Sequence, residues 1–261
     1  MNIVVCVKRV PDPEAPASLY KVDEASQRLV PARSVPWLTS TYDESALEAA
    51  LQLKDAHGGT VTLLSLAADD VTEWLQEVLA TGADEAVLVQ DAALAAGDGF
   101  AVATTLAAAI RKLGPVDLVL CGRQASDTDA GIVGPALAEL LGLPSVAVAR
   151  RIALENGTLR VERALDDGYE VLAVEPPAVL AVTSELYQLR YATMPNIMAA
   201  SMKEIPIWTA SDLGLSPPPT RVAPQRLYQP EARVACEVIQ ADTEEEAARL
   251  LAQALRARGV L

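Results

Sequence analysis

The residues best suited to chemistry lie in a polar stretch, 122–134, between an apolar run and an amphipathic helical pattern. Gly131 and Gly134 leave the first turn of the predicted helix without Cβ atoms. Its free N–H groups and the positive end of its dipole could therefore approach a phosphate closely. This predicts a nucleotide site. The same glycines could instead serve only to pack the helix on a strand, and the local pattern leaves both alternatives open.

Two pairs of carboxylates are candidates for acid–base chemistry, but neither has the apolar surroundings that raise a carboxyl pKa toward neutrality. Asp166 and Asp167 are expected in a turn. Asp127 and Asp129 are expected either to cap the following helix or to accept hydrogen bonds from ribose hydroxyls, since two carboxylates would repel a phosphate beside them.

Other kinds of active site are disfavoured by missing residues. His57 is the only histidine and follows a helical pattern, so it is expected to end a helix rather than to bind a metal, and no metal site is predicted. The dinucleotide fingerprint Gly-x-Gly-x-x-Gly, the P-loop and the Gly-x-Ser-x-Gly elbow are all absent from the sequence. The chain is therefore predicted to bind and position a ligand without catalytic residues of its own.

The elements that must hold this site alternate between strand and helix along the first half of the chain. Their patterns cover residues 3–7, 43–57, 61–66, 71–80, 86–89, 100–113, 118–121 and 131–141. Such alternation predicts an α/β fold with a doubly wound parallel sheet, whose ligands bind beyond the carboxyl ends of the strands. Thr41 and Glu44 are spaced for a capping box at the start of the first helix.

The second half of the chain has a different pattern. Strand-like runs cover residues 146–154, 158–164, 170–175 and 179–182, and Asn156-Gly157 and Asp167-Gly168 between them are hairpin dipeptides. They predict an antiparallel extension of the sheet. Residues 184–203 show no period and are expected to form a loop, and residues 216–230 are proline-rich and are expected to form an extended arm. A final amphipathic helix carries the apolar stripe Ala247, Leu250, Leu251, Ala254 and Leu255.

Composition restricts the partners and the compartment. The formal charge of −14 disfavours nucleic acid and anionic membranes as partners. No uninterrupted apolar run approaches the ~18 residues that span a bilayer, and the chain opens in a strand without a basic and apolar leader. Three cysteines without a Cys-x-x-Cys pair indicate reduced thiols, with Cys6 and Cys121 expected in the core. A cytoplasmic protein without membrane insertion is expected.

Five separated motifs resemble, in order and spacing, the β subunit of electron transfer flavoprotein, the FixA family. They cover the chain from near its start to about residue 203. The matching motifs are Val7-Lys8-Arg9-Val10-Pro11-Asp12, Tyr42-Asp43-Glu44-Ser45-Ala46-Leu47-Glu48-Ala49-Ala50, Gly82-Ala83-Asp84, Gly122-Arg123-Gln124-Ala125 with Gly134-Pro135, and Arg190-Tyr191-Ala192-Thr193-Met194-Pro195-Asn196-Ile197-Met198.

The resemblance implies an adenine nucleotide α-hydrolase-like fold and a heterodimeric electron carrier. In that family an α subunit holds most of a redox FAD, and the β subunit completes the cleft and binds AMP, or a second FAD in an electron-bifurcating branch. Electrons come from flavin dehydrogenases such as acyl-CoA dehydrogenases and pass to a quinone-linked oxidoreductase. A stand-alone nucleotide-binding module like the universal stress proteins is the alternative of another class, and the Pro-rich arm and the loop before it argue against it.

The resemblance also implies site residues. Residues 1–205 are expected to form the nucleotide-binding domain, with a partner-recognition loop at 184–203, and residues 206–261 an arm that docks on the α subunit. The implied cofactor-binding residues are Cys6, Ser40, Thr41, Tyr42, Asp43, Leu66, Gly122, Arg123, Gln124, Asp127, Asp129, Gly131, Ile132, Val133 and Gly134. The implied partner-binding residues are Tyr191, Met194, Pro195, Ile197, Met198, Leu250, Leu251 and Leu255.

Within these sets, Tyr42 is the ring expected nearest the α-subunit flavin. Met194 is expected to be held outward in an extended conformation, because Pro195 follows it; packing of Met194 in the core is the alternative. The sequence departs from the family pattern at Ser40-Thr41, where Asn-Pro is usual, at Ala67, where glycine is usual, and at Ile132, where a polar residue is usual. These departures leave AMP, FAD or an empty site open.

Overall fold

A nine-stranded sheet organises the larger of two units into which the chain divides, residues 1–225 and residues 226–261. The computed structural model describes residues 1–185, 187–216, 220–228 and 236–261. Its strands are β1 (Asn2–Cys6), β2 (Arg9–Pro11), β3 (Tyr20–Asp23), β4 (Arg28–Pro31), β5 (Trp37–Thr39), β6 (Thr60–Ala67), β7 (Glu85–Gln90), β8 (Leu118–Gly122), β9 (Ser145–Glu155), β10 (Thr158–Leu165), β11 (Gly168–Val174), β12 (Ala178–Val182) and β13 (Ile207–Trp208).

The sheet order is β11-β10-β9-β12-β8-β1-β6-β7-β13. All neighbours from β9 to β13 in that order pair in parallel, whereas β9, β10 and β11 pair antiparallel with one another. The doubly wound parallel sheet and its antiparallel extension, both predicted from the sequence, are confirmed. The direction of winding reverses between β1 and β8, so a crevice is expected beyond the carboxyl ends of these two strands.

Helices cover both faces of the parallel strands. The helices of the larger unit are α1 (Thr41–His57), α2 (Thr72–Leu79), α3 (Ala92–Ala95), α4 (Gly99–Leu113), α5 (Val133–Leu141) and α6 (Met194–Ser201). The smaller unit contains α7 (Glu244–Ala257). Because side chains alternate along a strand, β1 sends Ile3 and Val5 into a core layer with α1 and α2, and Val4 and Cys6 into a second layer with α4 and α5. None of the helices among the described residues is long and apolar enough to cross a membrane.

Two short ribbons fill the connection between β1 and α1, for which the sequence analysis assigned no strands. Strand β2 pairs with β5, and β3 pairs with β4, in both cases antiparallel. Strands of three or four residues are too short to show a period of two, which explains why the pattern did not reveal them. The β2–β5 ribbon brings residue 40 back to the end of β1, since Ser40 N–H donates to the Lys8 carbonyl at 3.0 Å.

Two predictions about helix starts are wrong. Thr41 is already the first residue of α1 and Ser40 is its N-cap, so the proposed Thr41–Glu44 capping box does not form. Helix α5 begins at Val133 rather than at Gly131, because Gly131 has φ +62°, which a right-handed helix does not allow.

The segment 184–203 is not a loop throughout, contrary to expectation, since it contains α6. The Thr193 side chain caps α6 by accepting from the Asn196 N–H at 3.4 Å. Pro195 lies in the first turn, where its missing N–H costs nothing. Residue 186 of this segment, and residues 217–219 and 229–235 of the predicted arm, lie outside the described residues.

Candidate functional site at the crevice between strands 1 and 8

The floor of the crevice is closed by one carboxylate at the start of α1. Asp43 Oδ1 accepts a hydrogen bond from the Gly122 N–H at 3.0 Å, and Asp43 Oδ2 accepts one from the Lys8 N–H at 2.9 Å. The first donor ends β8 and the second follows β1, so Asp43 joins the two strands where the winding reverses. A Cβ atom at residue 122 would lie 2.6 Å from the Tyr42 Cβ, which explains the glycine there.

Burial governs the ionisation of this floor. Loss of hydration raises the pKa of Asp43 to about 7, against the opposing effect of the hydrogen bonds from Gly122 and Lys8. Burial also raises the pKa of the Cys121 thiol to about 12 and that of the Cys6 thiol well above its ordinary value. Both thiols therefore stay protonated at neutral pH and pack as core residues, as the sequence analysis expected.

The polar stretch after β8 is fastened to the start of the chain by an ion pair. Lys8 Nζ lies 2.8 Å from both carboxylate oxygens of Asp127. The Gln124 amide donates to Asp129 Oδ1 at 2.7 Å and to the Tyr42 hydroxyl at 3.2 Å. The expectation that Asp127 and Asp129 cap α5 is therefore wrong. Neither is the N-cap residue, which is Ile132, and their carboxylates are taken up by the lysine and the amide.

A second set of contacts holds this stretch against the N-terminus of α1. The buried Ser40 hydroxyl accepts a hydrogen bond from the Ser126 N–H at 3.3 Å, and the two serine hydroxyls lie 3.2 Å apart. The Thr41 N–H donates to the Ser126 hydroxyl at 3.3 Å. Ser40, Thr41, Tyr42 and the stretch after β8 are thus brought together as predicted. Ser126 lies within the predicted stretch 122–134, whereas Lys8 was missed as a site residue, although it stands within a motif that the resemblance had already singled out.

The N-terminus of α5 has the features of a phosphate cradle. Its N-cap, Ile132, makes no side-chain capping hydrogen bond, whereas Asp91 and Asp98 cap α3 and α4 with their carboxylates. The backbone N–H groups of the first turn have no acceptor within a helix, so at α5 they are available to an anion. The nearest atom to a Cβ built at Gly131 would be the Arg123 carbonyl oxygen, 3.7 Å away, so the space beside this glycine is open.

The two glycines of this turn have different roles. A Cβ at Gly134 would lie 2.9 Å from the Cys121 sulfur and 3.2 Å from the Ala181 Cβ, so Gly134 allows α5 to pack on the sheet. Gly131 instead supplies the left-handed conformation that turns the chain into the helix. The Ile132 side chain is half exposed and occupies the space that a Cβ at Gly99 would fill. Contact with a phosphate at this position would therefore come from backbone groups.

The remaining predicted cofactor residues lie around the same edge of the sheet. Leu66 is near the end of β6 and partly buried, Val133 is partly buried at the start of α5, and Arg123 is exposed just after β8. Among the residues that the structure describes, no group of three or more His, Cys, Asp or Glu side chains is placed to hold a metal ion.

An open cavity of about 630 Å³ lies beside the start of α1. It is bounded by the first residues of that helix and by residues 184, 185 and 187–192. Its lining residues are Thr41, Glu44, Ser45, Thr81, Ser184, Glu185, Tyr187, Gln188, Leu189, Arg190, Tyr191 and Ala192. The described residues of the predicted partner-recognition segment therefore line part of this cavity.

An exposed apolar ridge runs along α6. The exposed fractions are 69% for Met194, 44% for Ile197, 63% for Met198 and 82% for Met202, and Tyr191 just before the helix is 88% exposed. Met194, Met198 and Met202 follow one another at intervals of four residues, which places them on one face. Met194 is not packed in the core, but the extended conformation proposed for it is wrong, because it is the first residue of α6. Met202 was missed because the segment was expected to be a loop.

The C-terminal stripe lies in the smaller unit. Leu251 is half exposed, Leu250 and Leu255 are partly buried, and none of the residues of α7, all of which the structure describes, is buried. Thr243 caps this helix by accepting from the Glu246 N–H at 3.2 Å. Helix α7 therefore presents an amphipathic surface that its own unit leaves uncovered.

Comparison with known proteins decides the family. The sequence profile of the electron transfer flavoprotein domain matches residues 29–213. The electron transfer flavoprotein subunit beta of Clostridium acetobutylicum is 39% identical over 260 residues, which cover 97% of each chain. The chain belongs to the electron transfer flavoprotein β subunit and FixA family. The assignment made from the five motifs is thereby confirmed, and with it a role in electron transfer.

Two further relatives are similar to this chain. Subunit CarD of the caffeyl-CoA reductase-Etf complex of Acetobacterium woodii is 38% identical over the full length of both chains. Protein FixA of Azorhizobium caulinodans is 36% identical over 89% of this chain and 86% of its own. The match to CarD covers the whole of both chains, and CarD is named as a subunit of a reductase complex.

Proposed function

We propose that this chain is the β subunit of a heterodimeric electron transfer flavoprotein in the cytoplasm. An α subunit holds most of a redox FAD, this chain closes the FAD site, and its own crevice binds AMP. The observation that carries the nucleotide part is the α5 N-terminus at the reversal point of the sheet. Its N-cap makes no side-chain capping bond, its glycine leaves space, and the stretch before it is fixed by an ion pair and the Ser40–Ser126 contacts.

The residues present fit an adenine nucleotide. The N–H groups of residues 132–134 suit a phosphate, since a helix dipole adds about 0.3–1 kcal/mol of attraction for a negative charge at an exposed N-terminus. The Ser40 hydroxyl and the Asp129 carboxylate, which contact the stretch before α5, are groups that could accept hydrogen bonds from ribose hydroxyls. Of the Asp127 and Asp129 carboxylates, the first is paired with the Lys8 ammonium, which offsets its negative charge. This pairing lowers the repulsion that a phosphate would otherwise meet.

The shared FAD would supply the one- and two-electron chemistry when it is bound. The task of this chain is then to wall the flavin site and exclude water. The cavity between α1 and residues 184–192 is open on one side, as half of a shared site would be. Tyr42 follows Thr41, which lines this cavity, and the Tyr42 hydroxyl accepts a hydrogen bond from the Gln124 amide.

Redox partners would dock on the α6 ridge. Exposed methionines suit a surface that must fit several partners, since their side chains are flexible and polarisable. Flavin dehydrogenases such as acyl-CoA dehydrogenases are the proposed donors and a quinone-linked oxidoreductase the proposed acceptor. The names of two relatives support the class of partner, because CarD belongs to a caffeyl-CoA reductase complex and another relative is an acryloyl-CoA reductase electron transfer subunit.

Co-expression with the α subunit of the same organism, followed by mass spectrometry of nucleotides released on denaturation, tests this proposal. One FAD and one AMP per heterodimer is the expected result. Two FAD per heterodimer would replace AMP by the second flavin of a bifurcating carrier. A chain that purifies with an adenine nucleotide but forms no complex would instead indicate the stand-alone module.

A matched pair of variants then locates the phosphate. Ile132→Asp and Ile132→Asn have the same shape and both can cap α5, so their stabilities should be similar, but only the aspartate brings a negative charge to the helix N-terminus. We expect the Asp variant to purify with much less nucleotide than the Asn variant. Equal nucleotide content in the two variants would place the phosphate elsewhere.

A further inference from the structure

The helix that carries the methionine ridge buries little of its own surface. Of the eight residues of α6, only Ala200 is buried, and the helix rests mainly on α2. So small an apolar contact does not by itself fix the position and tilt of a two-turn helix relative to α2. Polar contacts at both ends of the segment supply the fixation.

At the N-terminal end, Arg190 is held by a buried carboxylate of α1. Glu48 Oε2 accepts hydrogen bonds from the Arg190 backbone N–H at 3.1 Å and from its Nε at 3.0 Å, and Glu48 Oε1 accepts one from Nη2 at 2.9 Å. The Gln52 amide donates to the same Oε1 at 3.1 Å. The remaining guanidinium nitrogen, Nη1, donates to the exposed Asp55 carboxylate at 2.7 Å.

These bonds keep both groups charged. Burial alone would raise the pKa of Glu48, but the hydrogen bonds from Arg190 and Gln52 lower it below its usual value. The hydrogen bond from Arg190 to Glu48 raises the pKa of the guanidinium. The planar Arg190 guanidinium is bonded to the Glu48 carboxylate at two points, which fixes its orientation. A lysine ammonium on a flexible stem would not be fixed in this way.

At the C-terminal end of α6, groups from outside the segment meet its free carbonyls. The Gln76 amide of α2 donates to the Lys203 carbonyl at 3.1 Å and lies 3.5 Å from the Ser201 carbonyl. The Lys203 ammonium donates to the Asp84 carbonyl in return. Both ends of the segment are thus fixed to the α1–α2 side of the domain, while its middle faces outward.

We infer that Arg190 is a positioning residue. Its hydrogen bonds and ion pair with Glu48 fix the orientation in which α6 presents the ridge of Met194, Met198 and Met202 to a redox partner. This rests on the proposed function. A surface that is already held in its binding geometry loses little conformational entropy when the partner docks. The Arg190–Glu48 pair therefore favours affinity without touching the partner or the flavin.

Three variants of the assembled heterodimer test this. Glu48→Gln keeps the shape but removes the buried charge, Arg190→Lys keeps the charge but removes the fork, and Asp55→Asn removes only the exposed contact. Ile110→Val serves as a stability control, since it removes a methyl group from the opposite core layer. The two measurements are amide hydrogen exchange of residues 194–201 and the dependence of the electron-transfer rate on partner concentration.

We expect Glu48→Gln and Arg190→Lys to speed exchange in α6 by about tenfold or more and to raise the half-saturating partner concentration similarly. The maximal rate and the flavin spectrum should not change. Asp55→Asn should have little effect on either measurement, because the Asp55 side chain is itself largely solvent-exposed. Ile110→Val should lower the melting temperature without changing the half-saturating concentration.

Unchanged amide hydrogen exchange of α6 in both Glu48→Gln and Arg190→Lys would overturn the inference, because α6 would then be fixed by other contacts. Faster exchange with an unchanged half-saturating concentration would overturn it as well, since the helix geometry would not matter for docking. If the wild-type heterodimer showed no saturable electron transfer with any flavin dehydrogenase, the proposed function would fail. The amide exchange data would still report whether the Arg190–Glu48 pair fixes α6.

Discussion

The ionisation of Asp43 makes the stability of this protein depend on pH in a direction that most carboxylates do not share. Its folded-state pKa of about 7 lies above its ordinary value of 3.8, which applies to the unfolded chain. Between these values the native state keeps a proton that the unfolded chain has lost. The contribution of Asp43 to the free energy of unfolding therefore falls as pH rises from about 4 to about 7, and is constant above that.

The Asp43→Asn variant isolates this effect. The amide resembles the protonated acid in shape and charge, and the contributions of all other groups cancel in the difference between the variant and the wild type. At 1.36 kcal/mol per pKa unit, the difference in unfolding free energy should move by about 2 kcal/mol in favour of the variant between about pH 5.5 and about pH 8. Asp43 is buried, so solvent does not reduce this figure appreciably.

Urea unfolding of both proteins at several pH values across that range measures the difference. A constant difference would show that the two N–H hydrogen bonds from Gly122 and Lys8 outweigh the burial, so that Asp43 is ionised throughout. The reasoning about the crevice floor would then be wrong. A movement in favour of the wild type would be a stronger contradiction, because it would reverse the sign of the linkage.

Two further predictions concern partner surfaces. Met194→Ala should raise the half-saturating dehydrogenase concentration by about tenfold, or ~1.4 kcal/mol, with an unchanged melting temperature because the side chain is exposed. A lowered melting temperature at unchanged half-saturation would contradict the docking role. Removal of residues 226–261 should leave the larger unit folded, since it has its own core, but weaken assembly with the α subunit. Size-exclusion chromatography of equimolar mixtures measures this, and equal assembly by the shortened chain would refute docking by Leu250, Leu251 and Leu255.

The predicted elements that the structure confirms are those whose signals are local. The strand predicted at residues 3–7 is shifted by one residue from β1, and the helix predicted at residues 100–113 starts one residue after α4 does. The agreement is close because buried strands and amphipathic helices repeat their apolar residues at fixed intervals. Asn156-Gly157 lies between paired strands, as its turn preference requires, and Asn156 has φ +52°. Helix α6 was not predicted from the sequence. Its large apolar residues are exposed, so they do not follow the pattern of an apolar face turned toward the core.

The sequence by itself determined the family and the parallel sheet, because five ordered motifs and the alternation of strands and helices are properties of the chain alone. Only the tertiary structure decided what the polar side chains do. Asp127 meets a lysine 119 positions away, and Glu48 meets an arginine 142 positions away. Such pairs depend on how distant segments are brought together, and the free energy of a charged pair depends on the burial that the fold imposes.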